Sequence, residues 1–488
     1  MSRDALCRCG RAFLLLFCLV PLGGVSIAND DRFPEYASIQ PNVEFWVRVF
    51  SEWSLGQVAV HDLDHPGVVY EVVDLPGPAG ESYTDAQREF VEDLTESWQR
   101  RLRALAEKSS RRKPLDEDEK RWALALTTHA GTGAVEKAHE RVRTQRGLRE
   151  RFRRGLEISR RYEDRFREIF REAGLPEDLA YLPHVESSYQ AAARSSAGAV
   201  GVWQFTRGTG RLYLRIDSSM DERLDPVASA RGAAGYLGDA YDALDSWPLA
   251  LTSYNHGLVG MTRAVRKLGN DYERIFREYD GRLFGFASKN FYAEFLAARA
   301  IAREPARHFP EGLNYESPLD LENVVLDHRA APGQIATAFS VPIEQLVSLN
   351  PAWSRRAVSS SLGLPRGATV WLPVGTLARA GAVTLPEWRP SGCSGGPGSY
   401  VVRRGDTLSS IAAAHGVRLS RLRDLNGFGP SESLIVPGQR LNLVSAAPCD
   451  IHVVRAGENL SLIAARYSMR LDALRELNDL DAGKSLIV

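Results

Sequence analysis

The C-terminal end of this chain is written twice, and a chain that repeats itself in short units folds as a string of modules. Residues 401–412 (VVRRGDTLSSIA) match 453–464 (VVRAGENLSLIA), Leu425-Asn426 matches Leu477-Asn478, and 433–436 match 485–488, all at an offset of 52. A constant offset of this kind is the mark of duplication. A weaker third copy comes first: Ile335-Ala336, Val341, Ile343, Leu346 and Leu349-Asn350 fall 76 residues before their counterparts in the middle copy. Each copy is expected to fold as strand, helix, helix, strand. In the middle copy 400–402 is β-prone, Asp406 or Thr407 suits the cap of a first helix, Gly416 its end, and Ser420 the cap of a second. Residues 439–444 then make the return strand. The last copy stops at Val488, the counterpart of Val436, before any match to 437–443. The expectation is a chain truncated relative to its natural form, with 450–488 only partly ordered.

The other segments are read from composition and local pattern. A length of 488 residues suits about three domains of ~150 residues. With 44% hydrophobic and 25% charged residues, the composition is globular. Lys+Arg and Asp+Glu are both 61, which argues against a nucleic-acid binder working by bulk charge. Residues 1–28 have the form of a secretory signal: Arg3, Arg8 and Arg11, then an apolar run over 12–25, then Ser26-Ile27-Ala28. The run is short for a bilayer span, which takes ~20 residues, although an uncleaved anchor is the rival reading. Cys18 follows Leu-Leu-Phe and so lacks the small residues of a lipid-attachment site. Membrane association thus stays open without a lipid anchor. Cleavage after Ala28 leaves a net charge of −2 and two cysteines, Cys393 and Cys449. An even pair in an exported chain predicts a disulfide.

Residues 29–140 form a mixed region to which no role is assigned. A strand is expected at 68–75 and helices at 85–107 and 116–128. His61 and His65 lie in a stretch taken as a loop, since neither HExxH spacing nor a third ligand is present. A helix through 141–172 carries twelve Arg, read as a solvated, salt-bridged face. A Pro/Gly-rich linker is expected at 379–398. No group of His, Cys or carboxylates has metal-ligand spacing, so neither a metal nor another cofactor is expected.

Four short motifs fall in the helical block 174–302: Glu186-Ser187-Ser188-Tyr189, Gly201-Val202-Trp203-Gln204-Phe205, Ser253-Tyr254-Asn255-His256-Gly257 and Asn290-Phe291-Tyr292. Leu175, Leu179, Leu182 and Val185 give Glu186 an apolar neighbourhood, which disfavours its charged form. A glutamic acid that keeps its proton near neutrality is what protonating a glycosidic oxygen requires. Gly198 and Gly201 allow the backbone close to a bulky polymer. Gln204, Tyr254 and Asn255 offer amide and hydroxyl groups for sugar contacts. Trp203 suits either a sugar face or plain core packing.

Together, in this order, the motifs resemble the catalytic domain of lytic murein transglycosylases of the goose-lysozyme-like fold, in their membrane-bound D type, over roughly 145–305. The repeats resemble LysM modules, which bind N-acetylglucosamine-containing glycans. The implied fold class is mainly α: a lysozyme-like helical catalytic domain at 141–305, followed by small βααβ modules at 322–373 (degenerate), 399–444 and 450–488. The implied catalytic residue is Glu186, with Ser187, Gln204, Tyr254, Asn255 and Tyr292 on the substrate; Phe291 is the alternative to Tyr292 in a register ambiguous by one. Gly405, Asp406, Thr407, Leu434 and Ile435 are the implied glycan contacts of the middle module. Ser253 stands where the family commonly has Ala, and Val202-Trp203 where Leu-Met is common.

Ordinary glycosidases use two carboxylates; the resemblance implies only one here. Glu186 would protonate the leaving oxygen of the β-1,4 bond after N-acetylmuramic acid, then accept the proton of that sugar's 6-hydroxyl as it closes a 1,6-anhydro ring. The sugar's N-acetyl group would stabilise the intermediate. Two rivals remain: a hydrolytic lysozyme on the same fold, and a non-catalytic peptidoglycan-binding protein. The expected location is the periplasm or cell envelope of a bacterium, and the expected partners are peptidoglycan glycan strands, with no nucleic acid.

Overall fold

The computed structural model describes residues 32–359, 362–381, 383–386, 388, 399–415, 419–429, 434–443 and 458–466, with single positions at 454, 471 and 474. The expected signal, Cys393, Cys449 and most of the last module lie outside the described residues.

The chain opens with helix α1 (Gln40–Ser51), whose Val43, Phe45, Trp46, Val49 and Phe50 are buried. Strands β1 (Gln57–Asp62), β2 (Val69–Asp74) and β3 (Val142–Arg146) form an antiparallel sheet in the order β2-β1-β3. Between β2 and β3 stand helices α2 (Asp85–Ser110) and α3 (Glu117–Ala130), as expected. Both begin on capping boxes, Thr84 with Gln87 and Asp116 with Glu119, which satisfy orphan amides reciprocally. Their Trp98, Leu102, Leu105 and Leu126 make a small core with Val60 and Tyr70 of the sheet.

Two expectations are corrected here. Residues 142–146 are a strand, not the start of a helix: Val58 pairs with Arg146 and Asp62 with Val142. Gly147 turns the chain out of the sheet where a Cβ would stand 2.3 Å from the Trp53 carbonyl oxygen. The helix resumes in two pieces, α4 (Arg149–Ser159) and α5 (Glu163–Glu172). Their arginines are spent on carboxylates, Arg149 on Glu311, Arg161 on Glu316, Arg167 on Glu163 and Arg171 on Glu177. The exposed one, Arg171 with Glu177, contributes little stability. Second, His61 and Asp62 belong to β1 and not to a loop. The His61 ring is buried between Phe45 and Phe286, and Asp62 accepts from Arg141 at 2.9 Å. The boundary expected at 140/141 therefore separates no packing units, because β3 completes a sheet begun at 57 and α1 shares its core with the helices beyond β3.

Those helices are α6 (Leu182–Glu186), α7 (Arg207–Tyr213), α8 (Pro226–Leu244), α9 (Trp247–His256), α10 (Leu258–Leu268), α11 (Tyr272–Glu278), α12 (Phe286–Arg303) and α13 (Pro305–His308). The central one is α12, which packs on α1, α6 and α9. It is Ala-rich (Ala293, Ala297, Ala298), so its neighbours approach closely. Asp178 ties it down. In the 3-10 turn Glu177–Tyr181, this carboxylate accepts from Arg299 at 2.7 Å and Arg303 at 2.5 Å, and lies 3.4 Å from Arg167 of α5.

The first repeat folds as strand β4 (Leu321–Val325), helices α14 (Pro332–Phe339), α15 (Ile343–Leu349) and α16 (Arg355–Val358), and return strand β5 (Thr369–Pro373), with Asn323 opposite Trp371. It docks on the helical domain. Asp221 N–H donates to the Ala352 carbonyl at 2.7 Å, Ser354 N–H to the Ser219 carbonyl at 2.9 Å, and the Trp371 indole to Asp225 at 2.6 Å. Asp225 also caps α8. The expected linker at 379–398 starts later than that. Helix α17 (Thr376–Ala380) occupies its first residues, Val383 and Leu385 pack on the module, and Trp388 N–H donates to the Arg329 carbonyl at 2.7 Å.

The middle repeat pairs β6 (Ser399–Val401) with β7 (Arg440–Asn442), Tyr400 opposite Leu441. Between them lie α18 (Leu408–Ala414), capped by Thr407, and α19 (Leu419–Leu425). Ser420 falls inside α19 and not at its cap. In the last repeat, α20 (Leu460–Arg466) lies at the 52-residue offset from α18 and buries the same three positions, Leu460, Ile463 and Ala464.

Candidate active site

Glu186 ends a five-residue helix that the next three residues bring to a stop. Ser187 and Tyr189 N–H both donate to the Pro183 carbonyl, at 3.0 and 3.2 Å, and Ser188 and Tyr189 then take positive φ values of 48° and 59°. Non-glycine residues hold this left-handed region only when their surroundings impose it. Here Tyr189 is fully buried against Phe166 and His184, and its hydroxyl donates to the Ala180 carbonyl at 2.5 Å. The reversal leaves Glu186 half-buried.

The second motif is locked to the first. Ser187 Oγ donates to the Val202 carbonyl at 2.7 Å. Gly201 has φ +84°, and any Cβ there would stand 1.9 Å from the Arg223 carbonyl oxygen, so only glycine fits. Arg223, held bidentate by Asp221 at 2.9 and 2.7 Å, donates to the carbonyls of Phe205 and Gly198 and pins the loop from behind. Gln204, itself at φ +48°, donates to the Gly201 carbonyl at 2.8 Å. The third motif joins through Tyr254, whose hydroxyl donates to the Trp203 carbonyl at 2.8 Å. Asn255 beside it is exposed and accepts from Ser288 Oγ of α12 at 2.7 Å.

The structure thus ties Ser187, Gln204 and Tyr254 into one hydrogen-bonded frame, with Glu186 next to Ser187 and Asn255 next to Tyr254 in the chain. It does not bring in Tyr292, a correction to the expected substrate contact: that ring is fully buried and its hydroxyl donates to the Pro34 carbonyl at 2.9 Å. Phe291 is buried too. Trp203 is a core residue, packed on Phe166 and Phe170.

Electrostatics mark Glu186 and one further carboxyl. Among the described residues no group donates to the Glu186 carboxyl and no cation pairs with it. Burial pushes its pKa up to about 8, and a second carboxyl, Glu294 of α12, adds to the rise. Burial alone lifts Glu294 to about 8. The nearby His184 ring, buried against Phe152 and Tyr189, is driven down to about 3 and is neutral. Sequence reading missed Glu294, because a lone Glu in an Ala-rich helix carries no motif. Two surface cavities, of about 460 Å³ between α5 and α8 and about 430 Å³ along α5, include none of these residues. A site for a polymer is an open groove, so the chemistry and not the enclosed volume locates it.

In the middle module Val401 pairs with Arg440, so the turn holding Gly405, Asp406 and Thr407 and the segment holding Leu434 and Ile435 leave the sheet at the same end. Asp406 accepts from Tyr400 at 2.9 Å and from Arg403 N–H at 2.7 Å, while Leu434 is 84% exposed.

A match to the Transglycosylase SLT domain covers residues 167–276, and matches to the LysM domain cover 400–444 and 452–488. The chain therefore carries a transglycosylase catalytic domain of the SLT class joined to LysM modules. Across 333 residues it is 25% identical to the membrane-bound lytic murein transglycosylase D of Escherichia coli K12, over 63% of this chain and 71% of that protein; the protein of that name from E. coli O6:H1 matches with the same figures. The N-acetylmuramoyl-L-alanine amidase sle1 of Staphylococcus aureus is 28% identical over 180 residues, a third of this chain and half of its own.

Proposed function

We propose that this chain is a lytic transglycosylase that cuts the β-1,4 bond between N-acetylmuramic acid and N-acetylglucosamine in peptidoglycan, with Glu186 as its acid and base. The observation that carries this reading is the half-buried Glu186 carboxyl, inside the matched domain, with a pKa of about 8 and no cation or donor on it among the described residues. At neutral pH it holds a proton to give to the leaving oxygen. Once that proton is gone, no cation or donor among the described residues stabilises the charge, so the carboxylate is a strong base for the 6-hydroxyl of the same sugar. That nucleophile is tethered to the carbon it attacks, which replaces the entropy cost of capturing water. Ser187, Gln204, Tyr254 and Asn255 are the proposed substrate contacts; most of them are held through backbone carbonyls and so are set before substrate arrives.

The LysM modules hold the enzyme to the glycan it cuts. Export to the bacterial periplasm or envelope follows from that substrate and from the signal-like N-terminus. The E. coli relative is named as membrane-bound; among the described residues no helix is long and apolar enough to cross a membrane.

Purified sacculi test the reading. Wild-type chain should clear them and release fragments ending in 1,6-anhydro-N-acetylmuramic acid by mass spectrometry. Glu186→Gln should lose at least ~10²–10⁴-fold in rate, since one group plays both proton-transfer roles. Reducing ends in place of anhydro ends would make the enzyme a hydrolase, and activity of the variant within tenfold of wild type would remove Glu186 from the reaction.

A further inference from the structure

On the stretch of α12 from Asn290 to Arg299, every residue except Glu294 is buried, and every other polar side chain has a partner. Asn290 accepts from Asn42 of α1 at 2.9 Å, the Tyr292 hydroxyl donates to Pro34, and Arg299 is paired with Asp178. Glu294 is the exception: a half-buried carboxyl with no hydrogen bond and no ion pair among the described residues. Setting such a group in an apolar helix without a counter-ion costs folding free energy, and groups held at that cost cluster at functional sites. Where α12 packs on α6, Glu294 falls within electrostatic reach of Glu186. The two stand as an unpartnered pair of carboxyls on facing helices. The domain match ends at 276, so it says nothing of this position.

Building on the proposed role of Glu186, we infer that Glu294 is a positioning residue for the acid: its carboxyl, brought within electrostatic reach of Glu186 by the packing of α12 on α6, extends the hold of Glu186 on its proton into the alkaline range. The reasoning is that of two like charges in one poorly solvated place. They cannot both ionise freely, so a charge on Glu294 raises the cost of removing the proton from Glu186. The other groups on the packed elements do not relieve this. From α6 comes His184, which is neutral; from α9 come Tyr254, whose pKa is raised well above the ordinary tyrosine value by burial first and then by Glu186, and His256, whose pKa is lowered by burial. Asp178 of the preceding turn is taken by Arg299 and Arg303, Arg48 of α1 by Glu52, and Arg307 of α13 by Glu304. Glu294 does not serve as the ionised nucleophile of a two-carboxylate glycosidase, because burial keeps it protonated at neutral pH.

The test is the pH profile of kcat on sacculi for the full chain, wild type against Glu294→Gln and Glu294→Asp. With the second charge removed, Glu294→Gln should keep its activity at pH 6 within about tenfold, and its alkaline limb should move down by ~0.5–1 pH unit. Glu294→Asp, which keeps the charge, should restore most of that shift. A limb that stays in place while rates fall at every pH would make Glu294 merely structural and overturn the inference. A loss as complete as that of Glu186→Gln would make it a second catalytic carboxylate and overturn it too. If Glu294→Gln fails to fold, carboxyl NMR titration supplies the answer. Glu294 should titrate in two coupled steps in the wild type and in a single step in Glu186→Gln; an identical curve in both would refute the coupling. A wild-type chain that cleaves nothing would instead remove the proposed function, and the NMR comparison would still decide whether the two carboxyls are coupled.

Discussion

At Glu186 the burial that keeps a proton on the acid also weakens the fold as the solution becomes more alkaline. A carboxyl whose pKa is higher folded than unfolded binds its proton more tightly when folded. Its contribution is complete below the unfolded value near 4.5 and is lost as pH rises toward about 8. Glutamine carries no such proton. Glu186→Gln should therefore be more stable than wild type at pH 7.5, by on the order of 1–2 kcal/mol, with the gain shrinking to nothing near pH 4. Urea unfolding at the two pH values measures this, and a variant no more stable at pH 7.5 would show that the carboxyl is better solvated than its setting implies. The residue proposed to do the chemistry was legible in the sequence, because leucines before it and the motif order around it both point to Glu186. Glu294 was not legible, since its partner is 108 positions away and only the packing of α6 on α12 pairs them.

Among elements, those with local signals were the legible ones. The boxes at Thr84 and Asp116 mark α2 and α3, and the 52-residue repeat predicts α18, α19 and the return strand. Strand β3 was hidden, because its arginines suit a solvated helix and its partner β1 lies about eighty positions upstream. Pairing across that distance outweighs local propensity, as is general for strands. The docking of the first module was hidden for the same reason. It rests on a few long-range bonds, chief among them the indole of Trp371 on Asp225 at 2.6 Å. Trp371→Phe keeps an aromatic ring and removes the donor, leaving one oxygen of a buried carboxylate unmet. The expected cost is about 1–3 kcal/mol, read as a lower thermal midpoint and faster proteolytic cutting between 305 and 320. A variant that matches wild type in both would show that the backbone bonds at Ala352 and Ser354 hold the module without it.

Across the whole molecule, the catalytic helices and the first module form one packed body, and the remaining modules come after Trp388. We propose that Cys393 and Cys449, which bracket the middle module, are bonded to each other. The antiparallel pairing of Ser399 with Asn442 sets the first and last strands of that module side by side. Closing a loop of 57 residues would stabilise it by ~4 kcal/mol on the chain-entropy estimate. Non-reducing peptide mapping of exported protein should find one linked peptide pair; two alkylated free thiols would reject the bond.

The contact of Trp388 with Arg329 also limits how far the middle module can stand from the first. Only ten residues, 389–398, separate that anchored point from strand β6. Fully drawn out, a stretch of that size reaches at most ~40 Å. With the middle module on a glycan, as proposed, Glu186 would be confined to the patch of wall within reach of that span, and bonds inside it would be met at a high local concentration. If the proposed function holds, such an enzyme grazes: it would exhaust the bonds around one holdfast before moving to fresh wall, and the release of the module would set how soon it moves.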